Sequence, residues 1–166
     1  MNGKSAPRRR QGSLGPRGDT ADPRRRAWKA AMEANAILLA RFDEDFREQA
    51  GIDNRTYDAL LHVFEAGPSG IRMTDLAHEV VLTKAGLTSL IDRLEERSLL
   101  QRVPDPADRR SFRITLTEEG TRVFGAAARI HVAGIRDRVG RHLSDEEAQT
   151  VIEVFERIKA ANLDPS

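Results

Sequence analysis

The segment from residue 74 to residue 116 constrains the fold most, because its hydrophobic period changes along its length. Residues 74–80 and 83–97 both have helical spacing, with a short break between them. The second of these carries the i, i+3, i+4, i+7 stripe of a helix that buries one face, at Leu87, Leu90, Ile91 and Leu94. Two short helices joined by a tight turn predict a helix-turn-helix over residues 74–97.

The residues that follow have the period of two that is typical of strands. Residues 99–103 predict one strand, and the charged residues and two prolines of 104–110 predict a turn. In the next strand the apolar positions predict a side that faces the core, at Phe112, Ile114 and Leu116. Arg113 and Thr115 then face solvent. Two strands around a charged tip, directly after a helix-turn-helix, predict a β-wing over residues 99–116.

Amphipathic helices flank this segment on both sides. The pair Asp22–Pro23 is typical of a helix start, and either Asp53 or Asn54 begins a second helix. Thr117 caps a later helix, and Ser144 begins a capping box. The predicted order is α-α-α-α-β-β-α-α. The fold class is therefore mainly α with a small β-wing, a winged helix-turn-helix.

The charge of the chain is balanced overall but unevenly distributed. Its 166 residues include 27 Lys and Arg against 26 Asp and Glu. Residues 1–26 hold eight basic side chains and two acidic ones, so the remainder is mildly acidic. Nucleic-acid binding by that remainder requires a local basic patch. We expect residues 1–22 to form a disordered basic tail, which is either solvated or an arm that touches phosphates.

Composition and motifs exclude several classes of protein. The chain has no cysteine, which removes disulfides, thiolate metal sites and cysteine nucleophiles. No run approaches the ~18 apolar residues that a transmembrane helix needs. The sequence has no glycine-rich phosphate loop, no nucleophile elbow and no histidine spacing typical of a metal site. We therefore predict a cytoplasmic protein that is not an enzyme, spans no membrane and binds neither a metal nor a cofactor.

Five stretches of the chain carry a family resemblance: Tyr57–Leu61, Met73–Ala77, Leu87–Glu95, Asp108–Arg110 and Leu116–Gly120. With them the sequence resembles the MarR (multiple antibiotic resistance regulator) family of winged-helix transcription regulators. The wing motif with its trailing Leu-Thr-x-x-Gly is the most specific part. The resemblance spans residues 26–160, which is nearly everything except the tail.

The resemblance implies a homodimer whose first and last helices intertwine. It separates the tail, residues 1–22, from a single domain of residues 23–166, in which residues 23–50 and 117–161 form the dimer. The terminal helices carry apolar residues that a small winged core cannot cover: Trp28, Met32, Leu38, Phe42, Val151, Ile152 and Phe155. Packing within one subunit is the alternative use of this surface.

The resemblance also implies contacts with double-stranded DNA, at a pseudo-palindromic operator. The recognition helix enters the major groove, and the wing meets the minor groove and phosphates. The predicted DNA-binding residues are Thr83, Lys84, Thr88, Ser89, Arg93, Asp108, Arg109, Arg110 and Arg113. The alternative for Arg93 is to cover the core with its alkyl stem. A solvated, salt-bridged hairpin tip is the alternative for the wing arginines.

Three residues of this region need separate comment. Asp92 would repel phosphate, so it either orients an arginine or lies off the groove. Many members of the family carry arginine where Ser89 stands, which alters the base preference expected here. Ser98 replaces the glycine that is usual between the recognition helix and the wing, and a positive φ there would strain serine.

The resemblance implies regulation by a small amphipathic or phenolic effector. The candidate ligand-binding residues are Trp28, Met32, Tyr57, Asp58, His62 and His131. Core packing is the alternative for Trp28 and Met32, and a charge–dipole role at a helix start is the alternative for Asp58. The predicted function is that of a sequence-specific transcriptional regulator, a repressor released by its ligand. The alternative is a winged-helix module that binds protein and has no sequence-specific DNA binding.

Overall fold

The computed structural model describes residues 22–80 and 84–163, without the side chains of Lys84, Arg109 and Arg110. Six α-helices and three β-strands lie in this part of the chain. Their bounds are α1 Pro23–Ala50, α2 Asn54–Glu65, β1 Ile71–Arg72, α3 Met73–Glu79, α4 Lys84–Glu96, β2 Leu100–Asp105, β3 Asp108–Leu116, α5 Glu118–Arg138 and α6 Asp145–Asn162. The mainly α winged helix-turn-helix is confirmed. Apart from Asp22, the predicted basic tail lies outside the described residues.

The helix starts follow the capping residues that the sequence shows. Asp53 accepts a hydrogen bond from the backbone N–H of Thr56 at 2.8 Å, and Thr117 accepts one from that of Gly120 at 2.9 Å. Ser144 and the third residue of α6 form the reciprocal capping box. These three predictions are confirmed, because each cap is set by neighbours within one helical turn.

The three strands form one antiparallel sheet in the order β1-β3-β2. The short strand β1 was not predicted, since two residues show no alternation. It pairs Ile71 with Ile114. Ile114 is fully buried, as predicted, but Phe112 is 51% exposed and the prediction that it faces the core is wrong. Phe112 pairs with Pro104 toward the wing tip, where the core no longer reaches.

The core is formed by the helix-turn-helix, the sheet, α2, α5 and the second part of α1. The predicted stripe of α4 is confirmed, because its four apolar residues are all buried. A glycine fixes the approach of α5 to this core. A Cβ at Gly120 would overlap the carbonyl oxygen of Leu99, so the last residue of the Leu-Thr-x-x-Gly motif must be glycine.

The residue contacts within the chain form two compact units, and the boundary between them lies within α1, between Ile37 and Leu38. In the first unit, α1 is exposed at Trp28, Met32 and Ile37. The second unit contains every other element and the whole buried core. There Phe42 is buried in the core, so its predicted place on an uncovered surface is wrong. No helix among the described residues is long and apolar enough to cross a membrane.

Candidate nucleic-acid interface

The outward face of α4 consists of small and polar side chains. Thr88, Ser89, Asp92 and Arg93 are exposed, while the opposite face of the helix is buried. Lys84 begins the helix, but its side chain lies outside the description, as does all of Thr83. Short side chains on an exposed helix let its backbone approach a groove closely, and hydroxyls bond to phosphates or base edges.

The carboxylate on this face is paired. Asp92 accepts a hydrogen bond from Arg102 of β2 at 2.6 Å. Glu95, one turn further along α4, also pairs with the Arg102 guanidinium and accepts a bond from its backbone N–H at 2.9 Å. Of the two alternatives for Asp92, the structure therefore shows the one in which it orients an arginine. The same contacts join the recognition helix to the first strand of the wing.

Arg93 lies near the N-cap of another helix. Its guanidinium is 3.9 Å from the carboxylate of Asp53, and its side chain is half exposed. Partial burial works against the charge on Asp53, but its hydrogen bonds from Thr56 and the charge of Arg93 hold its pKa below the usual value. Arg93 thus supports the start of α2 and still presents part of its side chain to solvent.

A buried carboxylate lies at the turn of the wing, where Asp105 ends β2 and pairs with Asp108 of β3. Asp105 is fully buried and accepts hydrogen bonds from the backbone N–H of Ala107 at 2.9 Å and from Nε of Arg72 at 2.8 Å. These bonds lower the pKa of Asp105 to about 2. A buried charge is stable only when it is paired and hydrogen-bonded, so this cluster fixes the conformation of the turn.

Arg113 belongs to the same cluster. Its Nε lies 3.2 Å from the carboxylate of Asp105, and Nη1 donates to the backbone carbonyl of Gly70 at 3.1 Å. The side chain was predicted to contact DNA and to face solvent, and it lies three-quarters buried beside Asp105. Its guanidinium supports the sheet between β1 and the turn.

The remaining predicted wing residues follow the turn that Asp105 begins. Asp108, Arg109 and Arg110 begin β3 directly after the turn, and Asp108 is exposed. The backbone carbonyl of Asp108 accepts a hydrogen bond from the Ser111 hydroxyl at 3.0 Å. The side chains of Arg109 and Arg110 lie outside the described part of the structure, so only their place in the strand is given.

The link between recognition helix and wing is strained at Ser98. Its φ is +56°, a left-handed conformation that side chains other than glycine rarely adopt. The backbone N–H of Ser98 donates to the carbonyl of Glu95 at 2.8 Å, and the next N–H returns to Leu94. These two bonds end α4 and keep the residue in this conformation.

Two of the predicted ligand residues are bonded to each other. The Tyr57 hydroxyl lies 3.0 Å from Nδ1 of His131. The Tyr57 ring packs with Phe46 and Phe124, and the His131 ring packs with Phe42 and Phe46. Burial raises the pKa of Tyr57 and lowers the pKa of His131. Because burial favours the neutral imidazole, Nδ1 can accept the Tyr57 hydroxyl proton in a hydrogen bond.

The other ligand candidates are more exposed. Asp58 lies 3.6 Å from His62 along α2, and burial raises the pKa of Asp58 while His62 lowers it. Trp28 and Met32 are each about half exposed on the first part of α1. Among the described residues, no group of His, Cys, Asp and Glu is arranged to hold a metal ion.

No sequence pattern indicated the two clusters that shape this interface. Arg72 and Asp105 are 33 residues apart, and no local period links them. Arg102 and Asp92 are ten residues apart on different elements, and no local period links them either. The one hint was Asp105 itself, an acidic residue between two prolines at a turn, where carboxylates bond to backbone N–H groups.

Comparisons with known proteins agree with this geometry. A sequence profile described as the MarR family matches residues 50–111. The HTH-type transcriptional regulator PecS of Dickeya dadantii is 32% identical over 113 residues, which span 68% of this chain and 68% of PecS. The chain belongs to the MarR family.

Solved structures place the fold of this MarR-family chain beside two regulators from Streptomyces coelicolor. AbsC superposes with a TM-score of 0.77 at 27% identity, over 84% of this chain and 94% of AbsC. Sco3205, solved in complex with DNA, gives a TM-score of 0.76 at 30% identity, over 86% of this chain and 88% of Sco3205. Both are described as MarR family transcriptional regulators.

Proposed function

We propose that this MarR-family protein is a homodimeric repressor that binds a pseudo-palindromic site in duplex DNA and is released by a small-molecule effector. The observation that carries the DNA-binding part is the exposed small-polar face of α4, joined to the wing by the contacts of Arg102. Sco3205, the similar regulator solved on DNA, supports it. The protein acts in the cytoplasm and catalyses no reaction.

Each recognition helix reads one half-site. Thr88 and Ser89 lie on the exposed face of α4 that enters the major groove, with Thr83 and Lys84 at its N-terminal end. Since both exposed residues carry only a hydroxyl, direct base discrimination by them is modest. Pairing with the Arg102 guanidinium compensates the charge of the Asp92 carboxylate, which would otherwise repel the phosphates.

The wing supplies the second contact. The Asp105 cluster fixes the turn from which Asp108, Arg109 and Arg110 extend. Arginine suits the minor groove, because its flat and weakly hydrated cation enters where the potential is most negative. We assign Arg113 to the support of the wing, since its guanidinium is already bonded to Gly70 and paired with Asp105.

Dimerisation follows from an uncovered helix. No residue of α6 is buried, yet the helix carries half-exposed apolar side chains at Val151, Ile152, Val154, Phe155 and Ile158. A helix gains most of its stability by packing an apolar face. A second copy of the chain offers the same surface, and a two-fold interface pairs it with itself. Two recognition helices then lie roughly 34 Å apart, one turn of DNA.

We assign effector binding to the residues that the family resemblance implies. Asp58 and His62 present a partly exposed carboxylate and imidazole on α2, and Trp28 and Met32 present apolar surface on α1. Tyr57 and His131 join the effector site through the hydrogen bond between them. A ligand that competes for this bond changes the packing of α2 against α5.

Fluorescence anisotropy with labelled duplexes tests the proposal. The duplexes are the intergenic DNA beside the protein's own gene and a scrambled control, at several salt concentrations. We expect two subunits per palindromic site, preference for the natural duplex, and log K that falls linearly with log[salt] as counterions are released. Equal affinity for both duplexes with residues 1–22 deleted, or no binding at all, contradicts it and supports the protein-interaction alternative.

A further inference from the structure

Two apolar side chains are exposed opposite each other on the wing. Phe112 of β3 is 51% exposed, and Pro104, its partner on β2, is exposed as well. The two residues of β1 pair with Ile114 and Arg113, so Phe112 lies where the wing has only two strands. Single apolar residues are common on protein surfaces, but two that face water side by side form an unfavourable patch. We call Phe112 and Pro104 the apolar wing pair.

The strand register shows which side of the wing carries this pair. Side chains alternate between the two sides of a strand, so Pro104 projects to the same side as Arg102. Phe112 projects there too, because it lies opposite Pro104. From that side Arg102 donates to Asp92, on the exposed outward face of α4, at 2.6 Å. The apolar wing pair is therefore on the side of the wing that is turned toward the recognition helix.

This position determines which part of a duplex the pair meets. In the proposed complex α4 enters the major groove and the wing enters the adjacent minor groove, so one sugar–phosphate strand passes between them. The side of the wing that is turned toward α4 faces this strand. The phosphates of the strand are charged, and its deoxyribose rings, which lack a 2′-hydroxyl, are the apolar part.

The chemistry of the pair matches the sugars of this strand. We infer that Phe112 and Pro104 bind duplex DNA by apolar contact with deoxyribose at the edge of the minor groove. This contact rests on the proposed function and adds a second kind of interaction to it. Burial of the Phe112 ring on a sugar contributes hydrophobic free energy without releasing a counterion from a phosphate. Salt should therefore leave this part of the affinity unchanged.

The salt dependence of binding separates this contact from a charged one. Anisotropy titrations compare Phe112→Ala with the wild type on the intergenic duplex, over a range of salt concentrations. We expect affinity to fall about fivefold to tenfold at every salt concentration, because apolar area is lost from the interface. The slope of log K against log[salt] should equal that of the wild type. Phe112→Leu keeps most of the apolar area, and its affinity should stay within about twofold of the wild type.

Phe64→Ala is the matched control. Phe64 is 52% exposed, and it lines a groove with Gln101 and Thr115, whose side chains project to the opposite side of the sheet. Its replacement should leave DNA affinity unchanged. A smaller salt slope in Phe112→Ala would show that Phe112 only positions the wing arginines, and overturns the inference. Wild-type affinity in Phe112→Ala, or an equal loss in Phe64→Ala, overturns it as well.

Photochemical cross-linking tests the contact itself, and stays informative if thermal melting shows that Phe112→Ala is unfolded. p-Benzoylphenylalanine in place of Phe112 inserts into a nearby C–H bond under near-ultraviolet light, and deoxyribose offers such bonds. We expect cross-links to the labelled intergenic duplex from position 112 and none from position 64. A bound duplex without cross-links from position 112 overturns the inference and leaves the proposed function standing. A wild type that binds no duplex overturns both.

Discussion

Nε of Arg72 donates a 2.8 Å hydrogen bond to the carboxylate of Asp105, and so joins the short strand before the helix-turn-helix to the turn of the wing. Asp105 is fully buried, and the same oxygen lies 3.2 Å from Nε of Arg113. One carboxylate thus connects all three strands of the sheet. The orientation of the wing relative to the helix-turn-helix depends on this charge.

Removing the Asp105 charge should increase local opening of the wing strands while the hydrophobic core stays folded. In Asp105→Asn the two guanidinium groups lose their anionic partner, so we expect weaker DNA binding and faster amide exchange in β2 and β3. Hydrogen–deuterium exchange with mass spectrometry measures the second effect. Glu156→Gln, which removes one member of an exposed ion pair with Lys159, is the control and should change neither quantity. Unaltered exchange in the wing of Asp105→Asn contradicts the role given to this residue.

The low pKa of Asp105 predicts a pH dependence of stability. Its folded pKa is about 2, below the value of about 3.9 in an unfolded chain. The stabilisation is therefore complete above pH 4 and is lost as the pH falls from 4 toward 2. Urea unfolding at pH 6, 4 and 3 should show a smaller decline of the free energy of unfolding in Asp105→Asn than in the wild type. If the free energy of unfolding falls equally with pH in both proteins, the Asp105 carboxylate is not a source of the acid sensitivity.

Replacing Ser98 by glycine should stabilise the protein. The left-handed backbone costs a non-glycine residue roughly 1–2 kcal/mol, and the extra entropy of glycine in the unfolded chain offsets part of this. We expect Ser98→Gly to raise the free energy of unfolding by about 0.5–1 kcal/mol. Ser98→Ala is the control, since it keeps the strain and should not stabilise. The measurement is the urea midpoint at constant m-value, and a lower midpoint for the glycine variant is the contrary result.

The pair of Asp92 and Arg102 should show coupling in DNA affinity. Arg102→Gln leaves the Asp92 carboxylate without its partner on the face of α4 that meets DNA, so affinity should fall about tenfold. Asp92→Asn removes the unpaired charge, and the double variant should recover most of the loss. Anisotropy titrations of the four proteins complete the cycle. Additive effects of the two substitutions contradict a coupling between these side chains at the interface.

Local patterns were sufficient for much of this structure. The buried stripe of α4, the two long strands and the caps at Asp53, Thr117 and Ser144 were predicted, because each depends on neighbours a few residues away. These features require only helical or strand period and the chemistry of helix ends. Ser98 was singled out because it replaces the glycine that is usual in the family at this place, and its positive φ is observed.

Contacts between residues far apart in the sequence could not be predicted from local patterns. The bond from Arg72 to Asp105 and the place of Arg113 beside it depend on how β1 pairs with β3. The prediction for Phe112 failed because alternation indicates a side of the sheet but not where the core ends. Tyr57 and His131 were predicted as ligand residues, and the structure adds their mutual bond across 74 residues.

DNA binding by the proposed regulator requires a wing that contacts the duplex, and the substitution Arg110→Ala tests this contact. Anisotropy titrations compare the wild type with Arg110→Ala on the intergenic duplex and on a scrambled duplex, over a range of salt concentrations. We expect Arg110→Ala to lose about 10–100-fold in affinity on the intergenic duplex and to have a salt slope smaller by about one unit. Wild-type affinity and slope in Arg110→Ala would show that this wing arginine does not contact DNA, and would contradict the proposed role of the wing.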